Sequence, residues 1–360
     1  MNDTLASFNP ALLVLARERA QMTQKALAEK AGVKQASISK YESGKAVPSP
    51  EILQILAETL EVLPSFFEQA YNEVASGLPH HRKFSSLPAK VRQYVEAEAR
   101  ARLLDIIALQ KLSGDVQHGG YESVSRLMRL RKMTPEEVAR WLRVRWVKAK
   151  LLAGAEAPID TLGACVESLG IPVLAFDFGT SLLDGFFLHD QGLGVIAIND
   201  SADFPIDRQR FTLAHELGHA LLHREAFPQA ETEDEANRFA AELLLPEHSA
   251  KEDLRDAKTL FDYKALKAKW GISIAALGRR ARDVEIYSNT QYRNFCIGLN
   301  MMGMRKREPA CSLRKVSPMA LRKLLSEALQ TKTREALATV LGISMQLFEG
   351  RYGALLKEGV

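Results

Sequence analysis

The sequence predicts a mainly α-helical protein with one small β-sheet, an α+β fold, and three observations carry that prediction. Apolar residues recur at helical spacing through most of residues 9–152, interrupted by Gly, Pro and N-capping side chains. Strand-like runs are confined to residues 171–199. A single amphipathic stretch, Phe211 to His223, then carries two histidines four residues apart. The expected order is a five-helix domain over 1–75, a basic helical linker region over 76–157, a mixed domain over 158–309 and a helical extension over 310–360.

Composition narrows the classes. A chain of 360 residues, 46% hydrophobic and 26% charged, has the make-up of a soluble protein of two or three domains. The formal net charge of +4 is weakly basic and does not by itself establish a nucleic-acid partner. Cys165, Cys296 and Cys311 are odd in number, widely spaced and without a CxxC pair, which argues against a disulfide framework or a cysteine zinc ribbon. The opening Met-Asn-Asp-Thr lacks a charged segment followed by an apolar run, and no apolar stretch is long enough to span a bilayer. The expected compartment is the reducing cytoplasm, with no membrane partner.

Five short helices are expected over residues 9–68. Pro10 to Arg19 is the first; Thr23 caps Gln24 to Ala31; Gly32-Val33-Lys34 is a tight turn; Gln35 to Glu42 follows, closed by Ser43-Gly44. Glu51 to Leu60 is the fourth, and Pro64 opens a last turn. Leu27, Ala28, Val33, Ile38, Leu53 and Leu56 form the expected core. Helix, Gly turn and second helix make a helix-turn-helix pattern, whose second helix presents Gln35, Ala36, Ser37, Ser39 and Lys40, groups suited to the major groove of double-stranded DNA. Gln24, at a helix N-terminus, and Arg17 are candidates to hold phosphates.

Gly77 to Lys83 reads as a turn-rich linker, in which His80 and His81 diverge and are better solvated residues than metal ligands. Leu87 to Leu112 reads as one long helix, a spacer or a dimerising element. Residues 123–152 are helical and the most basic part of the chain; a solvated face is preferred there over a nucleic-acid surface. From Pro158 the pattern changes: a helix over Ile159 to Leu169, then strands at Ile171 to Phe176, Phe186 to Leu188 and Leu193 to Asn199. The last is expected to be an edge strand that pairs with extended substrate.

His215-Glu216-Leu217-Gly218-His219 places both imidazoles on one helix face, within reach of one metal ion, with Glu216 beside them as a base for an attacking water. Leu213, Ala214, Leu217, Ala220 and Leu221 supply the apolar back of that helix, and Gly218, which lowers helix propensity by about 1 kcal/mol, fits a place where something approaches the backbone closely. A zinc site needs a third protein ligand. Glu233, on the helix ended by Pro246, is the first choice and Glu235 the alternative; Asn237, one turn after Glu233, is placed to orient a ligand histidine. His223 continues the face and is a candidate either to stabilise an oxyanion or to pack behind the ligand histidines, with a plain surface histidine an equal reading; Tyr263, Tyr287, Tyr292 and His248 are other oxyanion candidates. A His2Glu set suits Zn2+ best, and Mn2+ or Fe2+ less well. Leu260 to Val284 gives two more helices and Ser288 to Met304 a third. In the extension, Thr333-Arg-Glu-Ala-Leu-Ala-Thr-Val-Leu-Gly-Ile343 echoes Thr23 to Val33 at identical spacing, but Met345, Leu347 and Phe348 are apolar, so a packing or dimer element is expected there, not a second DNA reader.

Two resemblances sharpen this. Thr23-Gln24, Leu27-Ala28, Gly32-Val33, Ser37-Ile38-Ser39, Tyr41-Glu42 and Gly44 resemble the phage-repressor (Xre/Cro) helix-turn-helix family. Asp184-Gly185-Phe186, Ile198-Asn199, Arg208, Arg210 to His219, Glu233 with Ala236 to Pro246, and Trp270-Gly271 with Ser273 are similar to the ImmA/IrrE metallopeptidase family, a zincin-like fold. The first implies operator binding as a homodimer. The second implies cleavage of a protein substrate, a repressor or the chain itself, to switch on stress or mobile-element genes. The competing expectation is a transcriptional regulator whose peptidase-like domain senses a ligand or partner without cutting.

Overall fold

The computed structural model describes residues 8–71, 87–114, 120–191, 193–223, 230–304, 308–309, 313 and 315–357. The expected Gly77–Lys83 linker with His80 and His81, and Cys311, lie outside them. The N-terminal unit is α1 (Pro10–Arg19), α2 (Gln24–Ala31), α3 (Gln35–Glu42), α4 (Pro50–Thr59) and a 3-10 turn (Pro64–Glu68). Side chains of Asn9, Thr23 and Ser49 each accept a backbone N–H at a helix start, which satisfies donors that a helix leaves open. Leu27, Ala28, Ile38 and Leu56 are buried, and Val33 and Leu53 are half-buried against them.

The long helix α5 (Ala89–Ser113) is not a spacer. It packs on α1 and on the C-terminal helices α15 (Met319–Leu329) and α16 (Arg334–Leu341), and its polar residues Glu98 and Asp105 are buried. Their charges are met by Arg351 of α17 (Met345–Lys357), at 3.1 and 2.6 Å, and the Tyr352 hydroxyl donates to Asp105 at 2.5 Å. Buried carboxylates are tolerated here because each has a cation and a donor. The C-terminal echo also packs on its own chain. Leu63 N–H donates to Gly342 O at 2.8 Å and Ser344 N–H to Glu61 O at 3.0 Å. Gly342 lies at φ +70°, and a Cβ there would meet Phe66 Cα at 3.0 Å, so the turn requires glycine twice over.

The mixed region contains α6 (Gly120–Leu130), α7 (Pro135–Lys148), α8 (Leu162–Glu167), β1 (Val173–Phe176), β2 (Gly185–Asp190), β3 (Leu193–Asn199), α9 (Ile206–Leu222) and α10 (Ala230–Leu244). It continues through α11 (Glu247–Arg255), α12 (Leu260–Trp270), α13 (Ile274–Asp283) and α14 (Asn289–Met301). The strand order is β1-β3-β2, with β1 parallel and β2 antiparallel to β3. β3 is therefore the central strand, paired on both sides, and not the edge strand expected from its place before the histidine helix.

Alternation along these strands separates two cores. Leu174, Phe176, Phe186, Leu188, Val195 and Ala197 pack with α5, the N-terminal unit and the C-terminal helices. Val173, Phe187, Ile196 and Ile198 face the other way, into the core that holds α9 and α10. The basic stretch largely follows the solvated reading, with Arg129, Arg131, Lys132, Arg145, Lys148 and Lys150 exposed. Arg143 departs from it: its buried guanidinium donates to the carbonyl oxygens of Ala155, Ala157 and Leu243. No described helix is long and apolar enough to cross a membrane.

Candidate metal centre and nucleic-acid interface

Helix α9 is pinned before its histidines begin. Arg208 donates twice to Asp184 at the start of β2, at 2.6 and 3.0 Å. Buried Arg210 donates to the carbonyl oxygens of Gly271 and Ile159, and Gln209 to Asn199 O at 2.9 Å. Asn199 in turn donates to the carbonyl oxygens of Thr180 and Leu183. Leu213, Ala214, Leu217, Ala220 and Leu221 are all fully buried on the back of α9, each large one contributing about 1.5–3 kcal/mol by area. Gly218 lies where α10 crosses: a Cβ would fall 3.0 Å from Phe239 Cδ1 and 3.3 Å from Ala236 Cα. The close approach expected at that glycine is made by α10, by the Phe239 ring first and the Ala236 backbone next.

That crossing brings three side chains together. His215 Nε2 and His219 Nε2 are 3.0 Å apart, and Glu233 oxygens lie 3.5 and 3.4 Å from them. Among the described residues this trio forms a group that could hold a metal ion. A tetrahedral zinc with bonds of about 2.0–2.1 Å holds neighbouring ligand atoms roughly 3.3 Å apart, so the spacing fits. Glu235 does not join the trio: its carboxylate accepts from His223 Nε2 at 2.7 Å. Asn237 Oδ1 lies 3.1 Å from His215 Nδ1, on the far side of the ring from the cluster. Glu216 is 4% exposed, on α9 between His215 and His219.

His223 meets protein on both sides of its ring. It caps α9, its side chain is 7% exposed, and both ring nitrogens face protein: Nδ1 is 3.1 Å from His219 Nδ1, and Nε2 is on Glu235. Burial holds its pKa below the usual histidine range. The other oxyanion candidates sit in contacts of their own. Tyr263 and Tyr287 hydrogen-bond each other at 2.6 Å, Tyr292 lies under Arg282 and His248 pairs with Glu252. The role of Glu235 was not visible in the sequence, because no spacing rule links it to His223 before α9 and α10 are docked.

At the N-terminal unit, Gln35, Ala36, Ser39 and Lys40 are exposed along α3, Ser37 is half-buried, and Ile38 points into the core. Arg17 is not a free phosphate arm. Its guanidinium donates to Glu42 at 2.5 and 3.1 Å and to Met22 O at 3.0 Å, clamping α1 to α3. Gln24 donates to the same carboxylate at 2.8 Å. The cations that remain exposed around α3 are Lys34 before it, Lys40 within it and Lys45 after it; only Lys40 lies on the helix itself, so helical spacing points to that one alone.

Comparison with known families finds a match for each of the two domains. Residues 166–282 match the IrrE N-terminal-like domain, a peptidase family model, and residues 13–67 match a helix-turn-helix model. The first span contains His215, Glu216, His219 and Glu233; the second contains all of α2 and α3. No curated protein matches the chain. The chain thus joins a helix-turn-helix of the DNA-binding type to an IrrE-like domain, the arrangement of a regulatory DNA-binding protein.

Proposed function

We propose that this chain is a DNA-binding zinc metallopeptidase that cleaves a regulatory protein, another repressor or itself, and so alters transcription. The observation that supports it most is the convergence of His215, His219 and Glu233, with Glu216 buried beside them. Zinc held by those three residues would polarise a peptide carbonyl and acidify water at neutral pH. Glu216 takes the proton from the attacking water and passes it to the departing amine, the work of one carboxylate in two steps. Asn237 holds the His215 ring in place. On α3, Gln35, Ser39 and Lys40 read the major groove, and a homodimer would read two half-sites about one helical turn apart.

A second reading has its own support. The sheet has one face in each core, so a change at the α9 side bears directly on the packing beneath the N-terminal unit. A regulator that senses metal or a partner through this sheet would not need to cut. Two measurements on the full chain test the proposal. Metal analysis should find one zinc per chain in wild type and in Glu216→Gln, while cleavage of a mixed peptide library belongs to wild type alone. An equal cleavage rate in the two proteins would refute the mechanism. A gel shift against excess random DNA should retain a sequence-specific complex at physiological salt; its absence would remove DNA binding from the proposal.

A further inference from the structure

We infer that Glu235 and His223 act as a pair of positioning residues that set the tautomer and ring orientation of His219, as Asn237 does for His215. This rests on the metal reading of the trio and adds to it a built support on each side. The argument follows the hydrogens. An ionised carboxylate only accepts, so at 2.7 Å from Glu235 the His223 Nε2 carries the proton. A neutral ring then has a bare Nδ1, which can only accept. The group facing it at 3.1 Å is His219 Nδ1, which must donate. His219 Nε2 is thereby left as a lone pair, and that nitrogen is the one turned to His215 and Glu233.

The other ligand histidine reaches the same state by an independent route. Asn237 Oδ1 accepts from His215 Nδ1 at 3.1 Å, which leaves His215 Nε2 bare. Two lone pairs 3.0 Å apart, with a carboxylate 3.4 and 3.5 Å from them, repel one another unless a cation sits between. The outer hydrogen bonds on both sides thus prepare the same point for a cation. Glu233, Glu235 and Asn237 all come from one short segment of α10, so the docking of α10 on α9 brings in the third ligand and the outermost partner on each side together.

The test is zinc affinity of the full chain, by competition with a chromophoric chelator. His223→Phe keeps a ring of similar bulk but offers no acceptor to His219; it should weaken zinc binding about 10–100-fold. His223→Gln restores an acceptor and should recover most of that loss. Glu235→Leu, which removes the acceptor at the half-exposed end, should lie between. Nitrogen NMR of histidine-labelled, zinc-loaded wild type should show His219 protonated at Nδ1, and that signal should shift in His223→Phe. Wild-type affinity in His223→Phe, or equal losses in the Phe and Gln variants, would overturn the inference. His219→Ala separates it from the reading beneath: if His219→Ala loses zinc while His223→Phe keeps it, the metal site stands and this inference alone fails. If wild type itself takes up no zinc, both fall.

Discussion

The candidate metal centre and the proposed DNA-reading helix are built on opposite plans. At the centre, the histidines lie on a helix buried along its back, and the outer nitrogen of each ligand histidine meets a protein partner within 3.1 Å. On α3, only Ile38 is buried, while Gln35, Ala36, Ser39 and Lys40 stand in solvent. The first plan fixes geometry before a ligand arrives; the second leaves polar groups open for a partner that supplies its own shape. The difference teaches where each site is fragile. A small change at the centre should cost about tenfold or more in one step, whereas changes along α3 should act in smaller increments.

Substitutions can break that contrast, and they rank by size. Glu216→Gln should lower cleavage by about 10²–10⁴-fold in a peptide assay and leave zinc content and DNA binding as they were. His219→Ala should abolish stoichiometric zinc, read by metal analysis, with the operator complex retained. Gln35→Ala should cost about 1–3 kcal/mol at one base position, and Lys40→Ala should weaken all sequences alike and reduce the salt slope by about 1, both read by gel shift across a salt series. Gly218→Ala, which crowds Phe239, should destabilise by about 1–3 kcal/mol in a thermal melt. If it leaves the melt unchanged, the crossing of α9 and α10 is looser than the contrast requires.

A pH-dependent effect lies between the regions. Glu167, at the end of α8, accepts from Val173 N–H and from Ala320 N–H at the start of α15, and so links the sheet to the C-terminal helices. Burial pushes its carboxyl up to about 7 from an ordinary 4.5. A group whose folded pKa is raised stabilises most below its unfolded pKa and loses that contribution as pH rises through the folded one. Stability should therefore fall between about pH 5 and pH 8. Glu167→Gln, which is always neutral, should flatten that slope in denaturant titrations.

Local chemistry was legible in the sequence where it was self-contained. Thr23 and Thr333 cap alike, Gly32 and Gly342 turn alike at φ +67° and +70°, and both were visible as matching spacing. His215 and His219 were legible because one helical turn is enough to pair them. What escaped depends on contacts between distant segments. No spacing pairs Glu98 and Asp105 with Arg351, which meets them from the far end of the chain. β3 read as an edge because strand order is decided by where β1 and β2 return, not by β3 itself. Choosing among the readings of His223 required knowing where Glu235 lands.

The most direct measurement of the central claim compares cells that express wild type with cells that express Glu216→Gln, mapping new protein N-termini by mass spectrometry before and after a DNA-damaging stress. A cut in a regulatory protein, present with wild type and missing with Glu216→Gln, is the predicted result. Identical maps, with transcripts still altered when the chain is deleted, would contradict the peptidase and leave a regulator that senses without cutting.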